Sequence, residues 1–461
     1  MKRDFLRRLE CPHCAGPLRR DAPHPAGGDA LEYGLLRCSC SEYPVVAGIP
    51  IFKAEGRVSV MDQTTDSVVT IGPDVRELRD LIRQGAHEEA LLRLLVMPSR
   101  RTSRWLMLAE TVPARFRRFA RGVAERSWKR QRDEHRAWLR RPPAESNAME
   151  MIDFFYRRSL KSELYHYFSC RFAQPRHLAA LSLASLLPTS DQPVLDLACG
   201  FGHILHYWRQ VHPRLGVIGL DRNFFQLYVA RHWVAPGAEF VCSDADVRLP
   251  FPTASLGGVF CSDAFHCFLR RAQCADEIRR LVEPGGLRVL ARFGNRLVEP
   301  REGYELSPAE YARLFTGLQT RLLSEDELVR EYLAGRGPQL APDGPPASVD
   351  HQKWISLVAS DDAGRLRNHD RFAAWPHAAG RLRINPLYRQ SRDDAGNLGL
   401  TFEFPSPWYE FENSGCLQYM PRNARVSADA LARMERGDRS PELDELVRQC
   451  VVVGMPDRYL P

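Results

Sequence analysis

Acidic and glycine residues lie close together in the segment Val194–His203, which reads VLDLACGFGH. Its apolar first half predicts a buried strand that delivers Asp196. Gly200 and Gly202 then permit a tight turn and a close approach of the backbone to a ligand. A helix predicted after this turn would add the positive end of its dipole. The segment therefore predicts a ligand site at the end of a strand.

A second acidic residue, Asp221, ends the next apolar run, nineteen residues after Gly202. A carboxylate there lies at the crevice of a strand–helix–strand fold and can accept hydrogen bonds from two ribose hydroxyls. A dinucleotide-binding loop would carry a third glycine where Leu205 stands, and it would place a pyrophosphate near Asp196. Because the Asp196 carboxylate suits a cationic amine better, the pattern favours S-adenosylmethionine over a nicotinamide dinucleotide.

Two cysteine pairs stand near the beginning of the chain, Cys11 with Cys14 and Cys38 with Cys40. Four thiolates are suited to a closed tetrahedral structural Zn²⁺ site. The second pair has the spacing C-x-C rather than C-x-x-C, so His13 is an alternative ligand, and a metal-free remnant is a further alternative. Four protein ligands would leave no open position for catalysis by the metal.

Basic residues are concentrated in one block. The chain has a net charge of +7, and residues 98–141 alone hold fourteen Arg and Lys against four acidic residues. Aromatic residues alternate with the arginines at helical spacing. This pattern is typical of a helix with an apolar core face and a solvated arginine face, and it also fits nucleic-acid binding.

The chain has 461 residues, of which 44% are apolar and 26% charged. These values are typical of a soluble globular protein with two to four domains. No apolar run approaches the ~20 residues of a membrane span, and the N-terminus lacks the apolar segment of a secretory signal. We therefore expect a cytoplasmic protein with no membrane partner, whose oligomeric state the sequence leaves open.

Alternating strand and helix patterns after Met151 predict an α/β fold with a doubly wound parallel sheet. The predicted organisation has four parts: a zinc-ribbon-like domain at 1–54, a basic helical region at 55–150, the α/β domain at 151–360, and a C-terminal α+β extension at 361–461 that would act as a substrate lid or cap.

Residues 194–293 resemble a class I S-adenosylmethionine-dependent methyltransferase. The resemblance rests on five motifs in order: Asp196–Gly202, Asp221, Ser243–Asp246 with Leu249–Phe251, Ser262–His266, and Glu283–Gly286. It implies a Rossmann-like seven-stranded sheet, with a helix from about Tyr165 that covers the cofactor. It also implies a set of cofactor-binding residues: Asp196, Ala198, Cys199, Gly200, Gly202, Asp221, Arg222, Asp244, Ala245, Ser262 and Arg171. His266, just after the fourth strand, is the predicted general base.

Residues 1–54 resemble the small zinc ribbon of tRNA-methyltransferase activator subunits, whose YPV-x-x-GIP tail recurs at Tyr43–Pro50. This resemblance implies a structural zinc ion on Cys11, Cys14, Cys38 and Cys40. The favoured function is methyl transfer to a small or medium-sized metabolite, such as one of natural-product biosynthesis. The alternatives are a tRNA or rRNA methyltransferase that holds RNA with its ribbon and basic helices, and a non-catalytic scaffold or activator partner.

Overall fold

The structure is a computed structural model that describes residues 1–21, 30–59, 72–96, 100–156, 162–299, 305–341, 349–370, 372 and 376–460. Pro98, the first residue of the basic block, lies outside these ranges. Within them, every helix is either too short or too polar to traverse a bilayer.

The N-terminal part forms a four-stranded antiparallel sheet with one short helix. Its elements are α1 (Arg3–Leu6), β1 (Arg19–Arg20), β2 (Gly34–Arg37), β3 (Glu42–Val46) and β4 (Ile49–Pro50). The first cysteine pair lies between α1 and β1, and the second lies between β2 and β3. Turns at these two places bring distant cysteines to one end of the small sheet.

A run of helices follows. They are α2 (Val75–Arg83), α3 (His87–Leu95), α4 (Arg100–Thr111), α5 (Ala114–Leu139), α6 (Ala148–Tyr156), α7 (Ser162–Ser169) and α8 (Pro175–Ala184). The helix predicted from about Tyr165 is in fact two helices. Between them lies a short 3-10 turn at Arg171–Ala173, and Gln174 is extended with ψ 137°, as expected of a residue that precedes proline. Pro175 therefore begins α8 rather than continuing α7.

The central sheet has seven strands with helices between them. In chain order the elements are β5 (Val194–Leu197), α9 (His203–Val211), β6 (Val217–Asp221), α10 (Phe224–Val229), β7 (Glu239–Cys242), β8 (Leu256–Ser262), α11 (Arg271–Leu281), β9 (Val282–Gly294), α12 (Pro308–Arg313), β10 (Gln319–Ser324), α13 (Glu325–Leu333) and β11 (Trp354–Ser360). The strand order is β10-β11-β9-β8-β5-β6-β7.

Strands β5 to β9 run parallel, whereas β11 is antiparallel to both of its neighbours. The strand order reverses between β5 and β8, and ligands of such sheets bind at the carboxyl ends of the strands that flank this reversal. All four residues of β5 are buried, as expected of a strand covered on both faces. The predicted Rossmann-like α/β fold is thereby confirmed.

The C-terminal part is a separate α+β region. Its elements are β12 (Arg381–Ile384), β13 (Tyr388–Arg392), β14 (Leu398–Phe402), α14 (Pro407–Asn413), β15 (Asn423–Val426), α15 (Ala428–Arg436), α16 (Pro441–Arg448) and β16 (Val452–Met455). Near its end, the Tyr459 hydroxyl donates to the Phe168 carbonyl at 2.5 Å and lies 3.0 Å from His203 Nε2. The end of the chain is therefore tied to the first turn of α9.

Candidate active site

The loop after β5 has the backbone conformation that the sequence predicts. Ala198, Gly200 and Gly202 have φ angles of +61°, +53° and +77°, a region that glycine enters without steric cost. A Cβ atom on Gly200 would lie 3.2 Å from the Gln226 amide oxygen. The loop thus presents bare backbone toward the crevice between β5 and β6.

Two carboxylates flank this loop. Asp221, at the end of β6, accepts from Gly200 N at 2.9 Å and from Asn223 N at 2.8 Å through its two different oxygens. Backbone N–H donors on both sides therefore hold the Asp221 carboxylate at the end of β6. Asp196 is 2% exposed, and this burial raises the pKa of its carboxyl well above the usual range. The neighbouring charge of Asp221 raises the pKa further, whereas the charge of Arg171 lowers it. A cationic group bound beside Asp196 would relieve this cost of burial.

The third predicted carboxylate, Asp244, follows β7 and is partly exposed. Lys53 Nζ donates to its Oδ2 at 3.1 Å. Lys53 comes from the N-terminal part and was not predicted from the sequence, because the two residues are 191 positions apart. Ala245 is half-buried beside Asp244, whereas Arg222, after β6, is exposed.

These positions match the hydrogen-bonding groups of S-adenosylmethionine. Asp196 lies within β5, Asp221 ends β6 and Asp244 follows β7, and these three strands are adjacent and parallel. The ligand carries three kinds of donor, namely a cationic amine, two ribose hydroxyls and an adenine amine. The half-buried loop residue Gly200 and the buried Cys199 lie between the first two carboxylates. The hydrogen-bond acceptors of the crevice therefore fit the donors of the cofactor.

At the end of β8, Asp263 lies in a cluster of charged residues. Asp263 Oδ1 accepts from Arg292 Nη1 at 2.9 Å, and its Oδ2 lies 3.7 Å from Arg171 and 3.8 Å from Arg176. Arg292 also pairs with Glu325 at 2.8 Å. We call these five residues the Asp263 cluster. Burial opposes ionisation of Asp263, but its three arginine neighbours hold its pKa well below the usual range.

The charge of Arg171 acts on Asp196, and its described ion-pair partner is Asp263, so its predicted role in cofactor binding stays a prediction. Arg176, which was not predicted, is 9% exposed, and its Nη2 atom has no hydrogen-bond partner among the described residues. An anionic group such as the ligand's own carboxylate would satisfy this donor. Local sequence patterns give no signal for this cluster because its members lie on α8, β9, α13 and two loops.

His266, the predicted general base, lies in a short helical turn at Phe265–Cys267 after β8. Its ring is half-buried and stands 6.1 Å from the ring of Trp354. Ser262, the last residue of β8, is also half-buried. The structure places both residues at the carboxyl end of β8, and their predicted roles stay predictions.

Four histidines that the sequence did not single out line a small enclosed cavity beside α9, namely His177, His203, His206 and His377. Burial lowers the pKa of each ring, to about 4 for His206 and His377. They are therefore neutral at pH 7, and they serve the packing of α8, α9 and the C-terminal part.

The cysteines of the N-terminal part form a second candidate site. The Sγ atoms of Cys11, Cys14, Cys38 and Cys40 all lie within 4.8 Å of one another. The Sγ atoms of Cys38 and Cys40 are 3.4 Å apart, so the short C-x-C spacing does allow both sulfurs to join the same cluster. Tetrahedral Zn²⁺ with Zn–S bonds of about 2.3 Å places its sulfurs roughly 3.8 Å apart, so the donor set fits this metal. His13 is not a member of the cluster.

Comparison with known proteins shows what the central region is similar to. Residues 195–290 match the family model described as "Methyltransferase domain". The phthiotriol/phenolphthiotriol dimycocerosates methyltransferase 1 of Mycobacterium ulcerans is 31% identical over 155 residues, which are 33% of this chain and 53% of that protein. The demethylmenaquinone methyltransferase of Deinococcus radiodurans is 33% identical over 113 residues, which are 24% of this chain and 46% of that protein.

Among solved structures, a SAM-dependent methyltransferase from Aquifex aeolicus is 16% identical with a TM-score of 0.29, covering 38% of this chain and 86% of that one. The chain spans about half the length of the two relatives named above. The matched segment begins in β5 and ends in β9, so it contains Asp196, Asp221, Asp244 and His266. The part of the central sheet from β5 to β9 is therefore similar to a methyltransferase domain.

Proposed function

We propose that this chain is an S-adenosylmethionine-dependent methyltransferase that acts on a small or medium-sized metabolite. The observation that carries the proposal is the row of three carboxylates, Asp196, Asp221 and Asp244, at the carboxyl ends of β5, β6 and β7. These residues lie within the segment that matches the methyltransferase model. Their acceptor chemistry complements every donor of the cofactor.

In this proposal each part of the site has one task. Asp196 binds the cofactor's amine, and Asp221 accepts from both ribose hydroxyls. Asp244 accepts from the adenine amine, and Lys53 orients the Asp244 carboxylate. Arg171 and Arg176 hold the cofactor's carboxylate. Arg222 and Ala245 border the ribose and the adenine. When bound, S-adenosylmethionine supplies a methyl group on a sulfonium sulfur that is open to in-line displacement.

His266 takes the acceptor's proton as the new bond to carbon forms. Its unperturbed pKa near 6.5 makes histidine an effective base at neutral pH. Proton removal by His266 would leave a methylated acceptor and S-adenosylhomocysteine as the products. The enzyme's contribution is mainly alignment, because in-line displacement depends on holding the two reactants at a fixed angle.

A metabolite acceptor is supported by the relatives, whose names assign them phthiotriol or phenolphthiotriol dimycocerosates and demethylmenaquinone. The test is transfer of a labelled methyl group to fractions of a cell extract that are separated into lipids, water-soluble metabolites and RNA. Label in the lipid or metabolite fraction is expected. Label in the RNA fraction alone would overturn the proposed acceptor.

We propose in addition that the four-cysteine cluster holds a structural zinc ion. The support is the proximity of the four sulfurs and the hydrogen bond between Cys11 Sγ and the Tyr43 hydroxyl at 3.2 Å. Because all four positions would be filled by protein ligands, the metal would stabilise the fold of 1–54 and take no part in methyl transfer.

A further inference from the structure

Helices α4 and α5 form a hairpin that is anchored at one end only. Arg140, near the end of α5, donates to Glu88 of α3 at 3.0 Å, and Trp138 packs against Phe154 and Phe155 of α6. The anchoring contacts begin at Arg132, which pairs with Glu89. At about 1.5 Å per residue, the part of α5 before Arg132 is ~27 Å long. The hairpin therefore extends well beyond its anchor.

The far end of this hairpin, residues 104–121, carries exposed apolar side chains, and we call it the hairpin tip. Met107 is 67% exposed, Leu108 42%, Phe116 50% and Phe119 64%. Phe116 and Phe119 are three residues apart and so share one face of α5. Four of the ten large apolar side chains that are exposed in the described part of the chain lie on this one tip. Such a concentration marks a surface that is covered by a partner.

The same tip is strongly basic. Five arginines on it are exposed, namely Arg104, Arg115, Arg117, Arg118 and Arg121, against one exposed acidic residue, Glu110. The Arg115 guanidinium lies 4.9 Å from the centre of the Phe116 ring. Among the described side chains, none of these arginines forms an ion pair with the protein. The positive charge is therefore available to an external anion.

An anionic lipid surface fits both properties at once. Arginines bind lipid phosphates at the headgroup level, while Met, Leu and Phe side chains enter the boundary with the acyl chains. RNA would satisfy the arginines and could stack on the phenylalanines, but it offers no apolar medium to the aliphatic Met107 and Leu108. Contact with a second copy of the tip is disfavoured because it would bring the positively charged arginines of the two copies together.

We propose that the hairpin tip docks onto the surface of membranes that contain anionic lipids. The sequence led us to expect no membrane partner because it has no apolar span, but surface docking requires none. The proposal goes beyond the proposed methyl transfer and does not depend on it. It would place the catalytic sheet beside a bilayer at the distance set by the hairpin.

The test is cosedimentation of the full chain with vesicles of equal parts phosphatidylglycerol and phosphatidylcholine, and with vesicles of phosphatidylcholine alone. Binding to the anionic vesicles is expected, with much weaker binding to the neutral ones and a decrease with salt. The double variant Phe116→Ser with Phe119→Ser should lower the partition coefficient more than about tenfold. The triple variant Arg117→Gln, Arg118→Gln and Arg121→Gln should lower it by at least as much.

Matched control variants remove the same types of exposed side chain at positions outside the hairpin tip. Leu269 and Phe411 are 81% and 80% exposed, so their double change to Ser tests apolar loss alone. Arg214, Arg367 and Arg422 are exposed, and their triple change to Gln tests charge loss alone. Both controls should bind vesicles like the unaltered chain.

Three results would overturn the proposal. The first is binding to anionic vesicles that the phenylalanine variant retains in full. The second is RNA binding that competes with vesicles and depends only on the arginines, which would make the tip an RNA interface. The third is a change of molecular mass in the tip variants without vesicle binding, which would make it a contact between copies. S-adenosylhomocysteine binding, measured on the same variants, should be unchanged and reports separately on the proposed function.

Discussion

At the scale of residues, the Asp263 cluster is the most concentrated set of charges near the candidate active site. The side chains of Arg176 and Arg292 are 9% and 7% exposed, and that of Asp263 is 16% exposed. The Cζ atom of Arg292 also lies 3.7 Å from the centre of the Trp354 ring, against its face. Buried cations are tolerated only when an anion faces them. Asp263 faces three arginines, and Glu325 adds a second anion beside Arg292.

Replacing Asp263 with Asn should therefore destabilise the protein strongly. The change leaves Arg176 and Arg292 buried with reduced compensation, and we expect the free energy of unfolding to fall by about 3–5 kcal/mol. Equilibrium denaturation with urea measures it, with Asp276→Asn, an exposed aspartate on α11, as the control. A loss below about 1 kcal/mol, typical of exposed pairs, would contradict this account of the cluster.

Residues within one motif could be predicted from sequence, whereas their long-range partners could not. Asp196, Gly200, Gly202 and Asp221 belong to local strand–turn–helix patterns that a single sequence displays. Lys53 meets Asp244 only because the N-terminal part packs against the edge of the central sheet. No local spacing encodes such a meeting.

At the scale of elements, the N-terminal sheet closes an edge of the central one. Phe52 N donates to the Cys242 carbonyl at 2.8 Å, and Ile51 pairs in parallel with Cys242 at the end of β7. Glu10 also accepts from Arg248 at 2.6 Å. An uncovered edge strand invites aggregation, so residues 1–54 protect β7 besides placing Lys53 on the candidate active site.

The zinc proposal gives a test at this scale. If the proposal is right, the purified chain should contain about one zinc ion. Cys14→Ser should then lower both the zinc content and the midpoint of thermal unfolding, because the metal would join the segment before β1 to the turn between β2 and β3. Elemental analysis and calorimetry measure the two quantities. Cys267→Ser, at a half-buried cysteine outside the cluster, is the control, and equal zinc content in both variants would count against the site.

Element types were predictable where apolar periodicity is strong. The five parallel strands and the late strand at Trp354–Ser360 follow continuous apolar runs, which packing on both faces requires. Strand β10 was not predicted because it lies at the edge of the sheet, where only Leu323 and Ser324 of its six residues are buried. The four-part division of the chain into domains stays a prediction.

At the scale of the whole molecule, acid should unfold this protein through its buried histidines. His177, His203, His206 and His377 have folded-state pKa values below the unfolded value of 6.5, so the unfolded chain binds more protons as the pH falls. The contribution of these neutral rings to the free energy of unfolding is fully present above about pH 6.5. It is lost as the pH falls toward 4, by about 3 kcal/mol for a ring such as His206.

Urea unfolding at a series of pH values checks this prediction. The free energy of unfolding should rise with pH between these limits, and His206→Gln, which removes one titrating ring, should reduce the slope. A slope unchanged by His206→Gln would show that this ring does not contribute. Because these histidines join α8 and α9 to the C-terminal part, acid should separate these regions together rather than one at a time.

The central claim is that the carboxyl ends of β5, β6 and β7 form a cofactor site, and calorimetric titration with S-adenosylhomocysteine tests it most directly. The unaltered chain and the Asp276→Asn control should bind equally. Asp221→Asn, which removes the acceptor of the ribose hydroxyls, should bind at least about tenfold more weakly. An unaltered, folded chain that does not bind the ligand, or equal binding by Asp221→Asn, would contradict the account.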